Sequence, residues 1–296
     1  MKISEKLKKG PTLSFEVFPP KNKNGDISSI YYTIEELSKL DPDFISVTYG
    51  AGGSNKGKAV EIVSTIKNKY NIEGVAHLSC ISSSRDEIIE TCELLKENNI
   101  ENILALRGDF PKDPSFDRSQ QEFHYAYELY ELINEEFPGE FCLSGACYPE
   151  VHPEASNFEE DLRHLKEKVD AGAEYLITQL FYDNNYYYRL VKEARKIGID
   201  VPIIAGIMPA SNPKSLLNTA KMCGSSIPYD LWNMIESYYH YPDAMKEIGI
   251  NYATHQIIDL ITNGVDGIHI YTMNKPEIAL SIFNSIPTVL KELKHE

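Results

Sequence analysis

Several features are missing from this sequence, and each absence excludes a class of protein. No apolar run approaches the ~20 residues that a helix needs to span a bilayer, so we expect no membrane span. The chain has 29 Lys and Arg against 44 Asp and Glu, a formal net charge of −15. This deficit of positive charge argues against a nucleic-acid or anionic-membrane surface. It still permits a small anionic ligand, which needs only a few local cations.

Cysteine is also scarce. The five cysteines are an odd number, and no two have CxxC spacing. This pattern favours reduced thiols in a cytoplasmic protein over a disulfide framework or a zinc site, so we expect no metal centre. The basic segment 1–10 has no apolar stretch behind it and does not resemble a signal peptide. The cysteines, which we interpret as small apolar fillers, are Cys80, Cys92, Cys142, Cys147 and Cys223.

What the sequence does have is a regular alternation of eight short apolar runs with helix-like segments. Strands that alternate with helices form a parallel sheet, and eight such units close into a (β/α)8 TIM barrel. With no linker and no low-complexity tract, residues 1–296 are predicted to form a single barrel domain. The runs are Leu13–Phe18, Phe44–Tyr49, Gly74–Leu78, Asn102–Leu106, Phe141–Ala146, Tyr175–Phe181, Pro202–Ile207 and Gly267–Tyr271.

Capping residues locate two of the helices. Ser84 followed by Glu87 is a capping box at the start of an amphipathic segment. Asn157 or Ser156 can cap a later helix, which Gly172 ends. The segment 227–263 is longer than one barrel helix requires, so we expect an extra helical insertion of two or three helices between strands seven and eight.

Most of the eight runs end in a side chain suited to chemistry. The active site of a (β/α)8 barrel lies at the carboxyl ends of its strands, so these side chains are predicted to share one site. They are Glu16, Thr48, His77, Arg107 with Asp109, Tyr148, Gln179, Met208 and Tyr271.

Glu16 lies inside an apolar strand, between Phe15 and Phe18. Alternate strand residues point into a barrel, where a lone carboxyl loses its hydration. Burial favours the neutral, protonated form of such a group, which suits a proton donor. The alternative is a glutamate that is ion-paired to a buried arginine.

Arg107 and Asp109 flank Gly108 at the end of the fourth run. The arginine suits a phosphate or a carboxylate, and the aspartate suits a cation or a heterocycle. The alternative is a local turn with an exposed ion pair.

A third cluster runs from Tyr148 to Glu154 and continues to Asp161 and Lys168, which lie two helical turns apart on one face. The alternative is that these residues form only a capped surface helix without a role in binding. His152 precedes a proline and has no second histidine at metal-ligand spacing, so we interpret it as a loop-shaping residue.

One segment resembles a nucleotide-binding motif but lacks a residue that the motif requires. The segment 52–59 nearly matches the phosphate-binding P-loop, but Ala59 stands where a hydroxyl must bind magnesium. We interpret it as a mobile glycine-rich loop over the site. The dinucleotide fingerprint GxGxxG follows none of the runs, so a dinucleotide would not be held in the Rossmann manner.

Taken together, these segments resemble the catalytic domain of methylenetetrahydrofolate reductase. They keep the family's order along essentially the whole chain. The matching segments are Phe15-Glu16-Val17-Phe18-Pro19-Pro20, Ser46-Val47-Thr48-Tyr49-Gly50-Ala51, His77-Leu78, Ala105-Leu106-Arg107-Gly108-Asp109, Tyr148 through Ala155, Ala171-Gly172-Ala173, Ile177-Thr178-Gln179 and Gly206-Ile207-Met208-Pro209.

The resemblance implies a barrel with non-covalent FAD. It implies ping-pong kinetics, in which NADH or NADPH reduces FAD and leaves, and hydride then passes to 5,10-methylenetetrahydrofolate to give 5-methyltetrahydrofolate. A homo-oligomer is expected, without the regulatory domain of the longer eukaryotic form. Two alternatives stay open: a flavin subunit that receives electrons from a partner protein, and another barrel enzyme such as a pterin methyltransferase or an aldolase. An aldolase would want a lysine at a strand end, and no run supplies one.

The resemblance also assigns roles. Glu16 would protonate N10 of the folate, Asp109 would stabilise the iminium cation that follows, and Gln179 would meet the edge of the flavin and pterin. Lys275 would bind the glutamate tail of folate. The positions similar to FAD contacts are Thr48, His77, Arg107, Gly108, Asp109, Tyr125, Ala126, Tyr148, Asp161 and Lys168.

Four positions depart from the family pattern. His164 and Glu167 stand where some bacterial members have asparagine and arginine, which removes a cation from the flavin surface. Ser215 and Thr219 stand where some members have glutamine and a substrate-contacting phenylalanine. The electron donor is the property that these departures affect most directly.

Overall fold

Eight parallel strands close on themselves in chain order. The computed structural model describes residues 1–20, 28–48, 56–110 and 121–294. Each strand pairs with the next, and β8 pairs with β1 to complete the barrel. The strands are β1 (Thr12–Val17), β2 (Phe44–Val47), β3 (Glu73–Ser79), β4 (Asn102–Leu106), β5 (Cys142–Cys147), β6 (Tyr175–Thr178), β7 (Ile203–Ile207) and β8 (Gly267–Tyr271). The predicted (β/α)8 barrel is confirmed, and every predicted run overlaps one strand.

The sixth run ends earlier than predicted. Residues 175–181 were predicted as strand, but β6 stops at Thr178. The backbone N–H of Gln179 still donates to Cys147 O at 2.7 Å. The next N–H, that of Leu180, donates instead to the side chain of Gln179 at 2.9 Å. The sheet therefore ends where a side-chain amide replaces the neighbouring strand as acceptor.

Twelve helices surround the barrel in the described residues. The segment predicted as an insertion, 227–263, contains α9 and α10, which follow the ordinary barrel helix α8. The helices are α1 (Ile3–Leu7), α2 (Ser28–Ser38), α3 (Lys56–Tyr70), α4 (Arg85–Glu97), α5 (Ala126–Glu136), α6 (Phe158–Asp170), α7 (Asn184–Lys196), α8 (Pro213–Cys223), α9 (Tyr229–Tyr238), α10 (Pro242–Thr262), α11 (Pro276–Ser285) and α12 (Pro287–Lys294).

The predicted helix caps are present. Ser84 and Glu87 exchange both hydrogen bonds of a capping box at the start of α4. Of the two candidates for α6, Asn157 is the cap, and its side chain accepts from Glu160 N at 2.9 Å. Beyond the C-cap Ala171, Gly172 has φ +118°, a conformation that glycine adopts at little cost.

The first strand shows how the two faces of the barrel wall differ. Leu13, Phe15 and Val17 belong to the core between strands and helices, and Phe15 packs edge-on against Phe283 of α11 at 6.1 Å. Ser14 and Glu16 alternate with them and so face the barrel interior.

Helix α1, which the sequence did not predict, lies against the amino-terminal end of the barrel. Its Ile3 is fully buried among side chains from several strands, including Phe44 and Tyr175. The side chain of Asn102, at the start of β4, accepts from Ile3 N at 2.8 Å and donates to Met1 O at 3.2 Å. A five-residue amphipathic turn is too short to show helical periodicity in a sequence.

All five cysteines are buried free thiols, in agreement with their interpretation as fillers. Burial raises the pKa of the Cys92 and Cys147 thiols to about 12. No helix within the described ranges is both long and apolar enough to cross a membrane.

Candidate active site at the carboxyl ends of the strands

The innermost acidic group at this end of the barrel is Glu16, which is 6% exposed. Its Oε2 lies 3.5 Å from Nε2 of His77, which comes from β3. That Nε2 is buried and has no hydrogen-bond partner. Burial lowers the pKa of His77; the Glu16 carboxylate opposes this effect, and His269 adds to it. The two side chains thus form a buried acid–imidazole contact at the centre of the site.

A second layer of polar side chains lies beside Glu16. His269 of β8 is fully buried, and its Nε2 lies 3.7 Å from Glu16 Oε2. Its Nδ1 lies 2.8 Å from Ser14 Oγ, and its Nε2 lies 3.5 Å from Ser46 Oγ. None of these three residues is among the predicted site residues. The available signal was their polar character at inward-facing positions of β8, β1 and β2.

The loop after β8 is tied to the loop after β1. The hydroxyl of Thr272 donates to Glu16 O at 2.7 Å. Asn274 accepts from Phe18 N at 2.9 Å and donates to Phe18 O at 2.7 Å. Met273 and Asn274 both have positive φ, 50° and 56°. Asn274 thereby substitutes for a strand neighbour one residue beyond the end of the sheet.

Tyr271 closes the site between β8 and β6. Its hydroxyl donates to Thr178 O at 2.6 Å. Burial raises the pKa of Tyr271 well above its usual value, and the nearby Glu16 adds to that effect. A Cβ on Gly206 would lie 2.2 Å from Thr178 O and 2.8 Å from the Tyr271 ring. Glycine at 206 is therefore what lets this tyrosine cross β7.

Arg107 lies at the end of β4 and binds Glu154 through two nitrogens, at 2.5 and 3.0 Å. The hydrogen bonds to Glu154 raise the pKa of the guanidinium. Next to it Gly108 has φ +86° and approaches the Ser79 side chain so closely that a Cβ would lie 2.8 Å from it. Asp109 follows and is exposed. The alternative interpretation of this segment was an ion pair within a local turn, but the acid that Arg107 contacts is Glu154 of another loop.

Tyr148 stands between the other polar groups at this end of the barrel. Burial raises the pKa of its hydroxyl; Cys223 and the carboxylates of Asp109 and Asp161 add to this, whereas a hydrogen bond with Gln179 opposes it. The ring of His152 packs edge-on against Tyr148 at 4.6 Å. His152 shapes the loop here, as its sequence context suggested.

Lys168 of α6 reaches back to the end of β5, where its Nζ donates to Ala146 O at 2.8 Å. Burial lowers the pKa of this ammonium, and Cys147 and Asp161 oppose that shift. The carboxylate of Asp161 also accepts from His152 N at 2.9 Å. The helix therefore presents one cation and one anion to a small pocket next to Cys147.

An aromatic surface lies further out, at the start of α5. The exposed ring of Tyr125 stacks on Tyr127 at 5.9 Å and on His164 at 6.1 Å. Ala126, at the first position of α5, is buried. Glu167 pairs with His164 at 3.0 Å and with Arg163 at 2.6 Å. His164 and Glu167, the two positions on α6 that depart from the family pattern, thus pair with each other.

Thr48 and Lys275 lie on either side of Glu16. The N–H of Thr48 donates to Val17 O at 3.1 Å, which places it beside the end of β1. Lys275 is exposed and lines a cleft of 260 Å³ between β7 and β8. Ser215 lines the same cleft from α8.

The predicted site residues therefore fall in one region. Glu16 and His77 form its buried centre; the groups around Tyr148 lie on one side, and the Lys275 cleft on the other. Three parts of the predicted motifs lie outside the described residues: Tyr49-Gly50-Ala51, the glycine-rich 52–55 and the loop residues 111–120.

The fold and these side chains define the class: a (β/α)8-barrel protein with an acid, cations and amides at the carboxyl ends of its strands. The model of the family described as methylenetetrahydrofolate reductase matches residues 2–287. The chain belongs to the methylenetetrahydrofolate reductase family.

Relatives include plant and bacterial proteins. An Arabidopsis thaliana protein named methylenetetrahydrofolate reductase (NADH) 1 is 35% identical over 97% of this chain and 51% of its own length. A Pectobacterium carotovorum protein named 5,10-methylenetetrahydrofolate reductase is 37% identical over 93% of this chain and 89% of its own length. The chain thus spans about half the length of the plant relative and most of the bacterial one.

Solved structures share the fold. An uncharacterized protein from Clostridium thermocellum, described as binding two copies of 5-methyl-5,6,7,8-tetrahydrofolic acid, has a TM-score of 0.65. The two chains are 18% identical, and the match covers 98% of each. At this identity the likeness shows the barrel architecture.

Proposed function

We propose that the protein catalyses the FAD-dependent reduction of 5,10-methylenetetrahydrofolate to 5-methyltetrahydrofolate, with NADH or NADPH as the electron donor. The observation that carries this proposal is the buried Glu16 carboxyl beside His77, in a chain that the family model matches over residues 2–287. The names of the relatives supply the reaction, and that of the Arabidopsis protein specifies NADH.

The residues present fit FAD. Arg107 and the partly buried Lys168 offer two cations for a diphosphate. Tyr148 and Gln179 offer hydroxyl and amide groups for the polar edge of a flavin. The unpartnered Nε2 of His77 lies in the same region. The stacked rings of Tyr125 and His164 offer an aromatic platform beyond the cations.

FAD, when bound, supplies hydride transfer between the two substrates. The protein's own residues then have three tasks. Glu16 holds the proton that opens the folate ring at N10, since it is the buried acid at a strand end. Asp109 offers an exposed negative charge for the iminium cation. Lys275, beside the 260 Å³ cleft, offers a cation for the glutamate tail.

Other parts of the proposal rest on the sequence pattern or on the resemblance. These are one domain over residues 1–296, a homo-oligomer, a cytoplasmic location and a role in methionine biosynthesis. The folate end of the proposal has further support, since the structural neighbour from Clostridium thermocellum is described as binding a methyltetrahydrofolate.

Anaerobic flavin spectroscopy tests the function. Protein reconstituted with FAD is mixed with NADH, then in a separate sample with NADPH, and the visible flavin band is followed. Bleaching by one nucleotide, followed by recovery when methylenetetrahydrofolate is added, supports the complete reductase. If neither nucleotide bleaches the flavin but folate reoxidises chemically reduced enzyme, an electron-donor protein replaces the nucleotide. If folate does not reoxidise the reduced enzyme, the proposed function is wrong.

A further inference from the structure

The turn after β8 carries an inference that rests on the proposed function. Four residues of the segment 271–275 line the 260 Å³ cleft, whereas Asn274 directs its side chain to the backbone of Phe18. We propose that Asn274 is a positioning residue, which holds Lys275 at a fixed separation from Glu16 so that one folate molecule reaches both groups.

The backbone of this turn is in an unusual conformation. Lys275 N donates to Thr272 O at 2.9 Å, and the two residues between them, Met273 and Asn274, have φ of 50° and 56°. Positive φ at both central residues is the pattern of a type I′ turn, which favours asparagine and glycine. A side chain such as methionine adopts it only at a cost in free energy. The turn therefore needs support from outside its own four residues.

That support comes from the end of β1. Thr272 N donates to Glu16 O at 3.4 Å, and its hydroxyl donates to the same oxygen at 2.7 Å. The Thr272 hydroxyl also accepts from Asn274 N at 3.2 Å. Beyond the last residue of β1, the Asn274 side chain accepts from Phe18 N at 2.9 Å and donates to Phe18 O at 2.7 Å. These bonds fix the turn to the backbone of Glu16 and Phe18.

The acid and the cation lie on opposite sides of this connection. Glu16 is two residues before Phe18, and Lys275 directly follows Asn274. The substrate has a matching construction, since a planar benzoyl group separates N10, which Glu16 protonates, from the glutamate, which Lys275 binds. A substrate with a rigid spacer reaches both groups in one pose only when their separation is held constant. The hydrogen bonds of Asn274 hold it constant.

Two substrates test this separation. 5,10-Methylenetetrahydrofolate presents both N10 and the glutamate carboxylates, whereas the corresponding pteroyl amide ends in a neutral amide that cannot pair with Lys275. The readout is the ratio of the two second-order rate constants for reoxidation of the reduced FAD enzyme, measured by stopped flow. A general loss of structure lowers both rate constants and leaves their ratio unchanged. A loss of positioning removes the advantage of the glutamate substrate.

Asn274→Gly removes both hydrogen bonds to Phe18, and glycine keeps the positive φ without strain. We expect the wild type to prefer the glutamate substrate about tenfold, the contribution of one charged hydrogen bond. This preference should disappear in Asn274→Gly and also in Lys275→Met. Asn71→Gly is the matched control, because Asn71 is exposed, has the same φ of 56° and precedes β3 at the amino-terminal end of the barrel. The control should keep the wild-type preference.

Thr272→Val covers the case in which Asn274→Gly does not fold. It removes the hydroxyl that joins Glu16 O to Asn274 N, so we expect the preference to fall about threefold. A preference that is absent from the wild type, or that survives in the folded variants of Asn274 and Thr272, would overturn the inference while the proposed function stands. If neither substrate reoxidises the reduced wild-type enzyme, the proposed function is wrong and the inference fails with it.

Discussion

The two ends of the barrel are built from different side chains. At the amino-terminal end, Ile3 of α1 lies among apolar side chains such as Val75 and Leu104, and Asn102 satisfies the backbone of the first residues. At the carboxyl-terminal end, Glu16 and His77 occupy the interior as a buried polar pair.

We interpret this difference as a division of roles: the amino-terminal end contributes stability, and the carboxyl-terminal end contributes the groups for chemistry. Apolar burial lowers the free energy of the folded state without demanding any partner. Buried polar groups must find partners, and among the residues that the structure describes the Glu16 carboxyl lies 3.5 Å and 3.7 Å from two imidazoles. We therefore expect substitutions at one end to change unfolding and substitutions at the other to change reaction rates.

The largest effect is expected from Glu16→Gln. This isosteric change removes the proton donor, so reoxidation of the reduced enzyme by methylenetetrahydrofolate is expected to slow about 100- to 10,000-fold. Reduction of FAD by the nucleotide is expected to continue at the wild-type rate. Stopped-flow measurement of each half-reaction checks this. A normal folate half-reaction would mean that another group supplies the proton.

At the opposite end, Ile3→Ala is expected to lower the free energy of unfolding by about 2–5 kcal/mol, because it leaves a cavity in a fully buried site. Both half-reaction rates should stay unchanged in the folded enzyme. Ile197→Ala is the matched control, since Ile197 is 41% exposed and should cost less than about 0.5 kcal/mol. Urea unfolding measures both. A large loss of rate in Ile3→Ala would contradict the separation of the two ends.

Gly206→Ala is expected to destabilise the carboxyl-terminal end by about 1–3 kcal/mol, because its Cβ would collide with Thr178 O and Tyr271. Gly57→Ala, near the start of α3, is the control: a Cβ there meets no atom of the described residues within 4 Å, so the helix gains up to about 1 kcal/mol. Thermal unfolding compares the two variants. Equal melting temperatures would show that Tyr271 can move aside.

The smallest effect is expected from Lys168→Met, which keeps the side-chain length but removes the cation. FAD binding is expected to weaken about tenfold, since a charged hydrogen-bond partner is lost. The apoprotein should be as stable as before or more so, because a partly buried charge is removed. Isothermal titration with FAD tests the affinity. Lys196→Met, at an exposed position of α7, is the control. Unchanged affinity would place the diphosphate elsewhere.

The sequence predicted the barrel well, because each strand is a short apolar run and several of the helices have a local signal. The Ser84 capping box and the Asn157 cap depend only on residues three positions apart, so they are readable without the fold. The end of β6 depends on whether Leu180 N donates to the Gln179 side chain or to a neighbouring strand. No local sequence pattern encodes which acceptor it takes. Helix α1 is fixed by its burial against the strands.

The site was predictable in its outline and not in its pairings. Strand ends located Glu16, His77 and Arg107, since parallel strands bring their ends together. That Arg107 pairs with Glu154, 47 residues away, follows from loops that meet only in the fold. His269 carries no such signal, because it lies within β8, two residues before the end of that strand.

The contact between the segments that follow β1 and β8 depends on one amide, the side chain of Asn274, which can be lost by deamidation. Its amide nitrogen donates to Phe18 O while its oxygen accepts from Phe18 N, a pattern that needs one donor and one acceptor. Hydrolysis of that amide, the common ageing reaction of asparagine, would leave two acceptors and turn one of these bonds into a repulsion between oxygen atoms. Deamidation during storage would therefore weaken the contact between these two segments, next to Glu16.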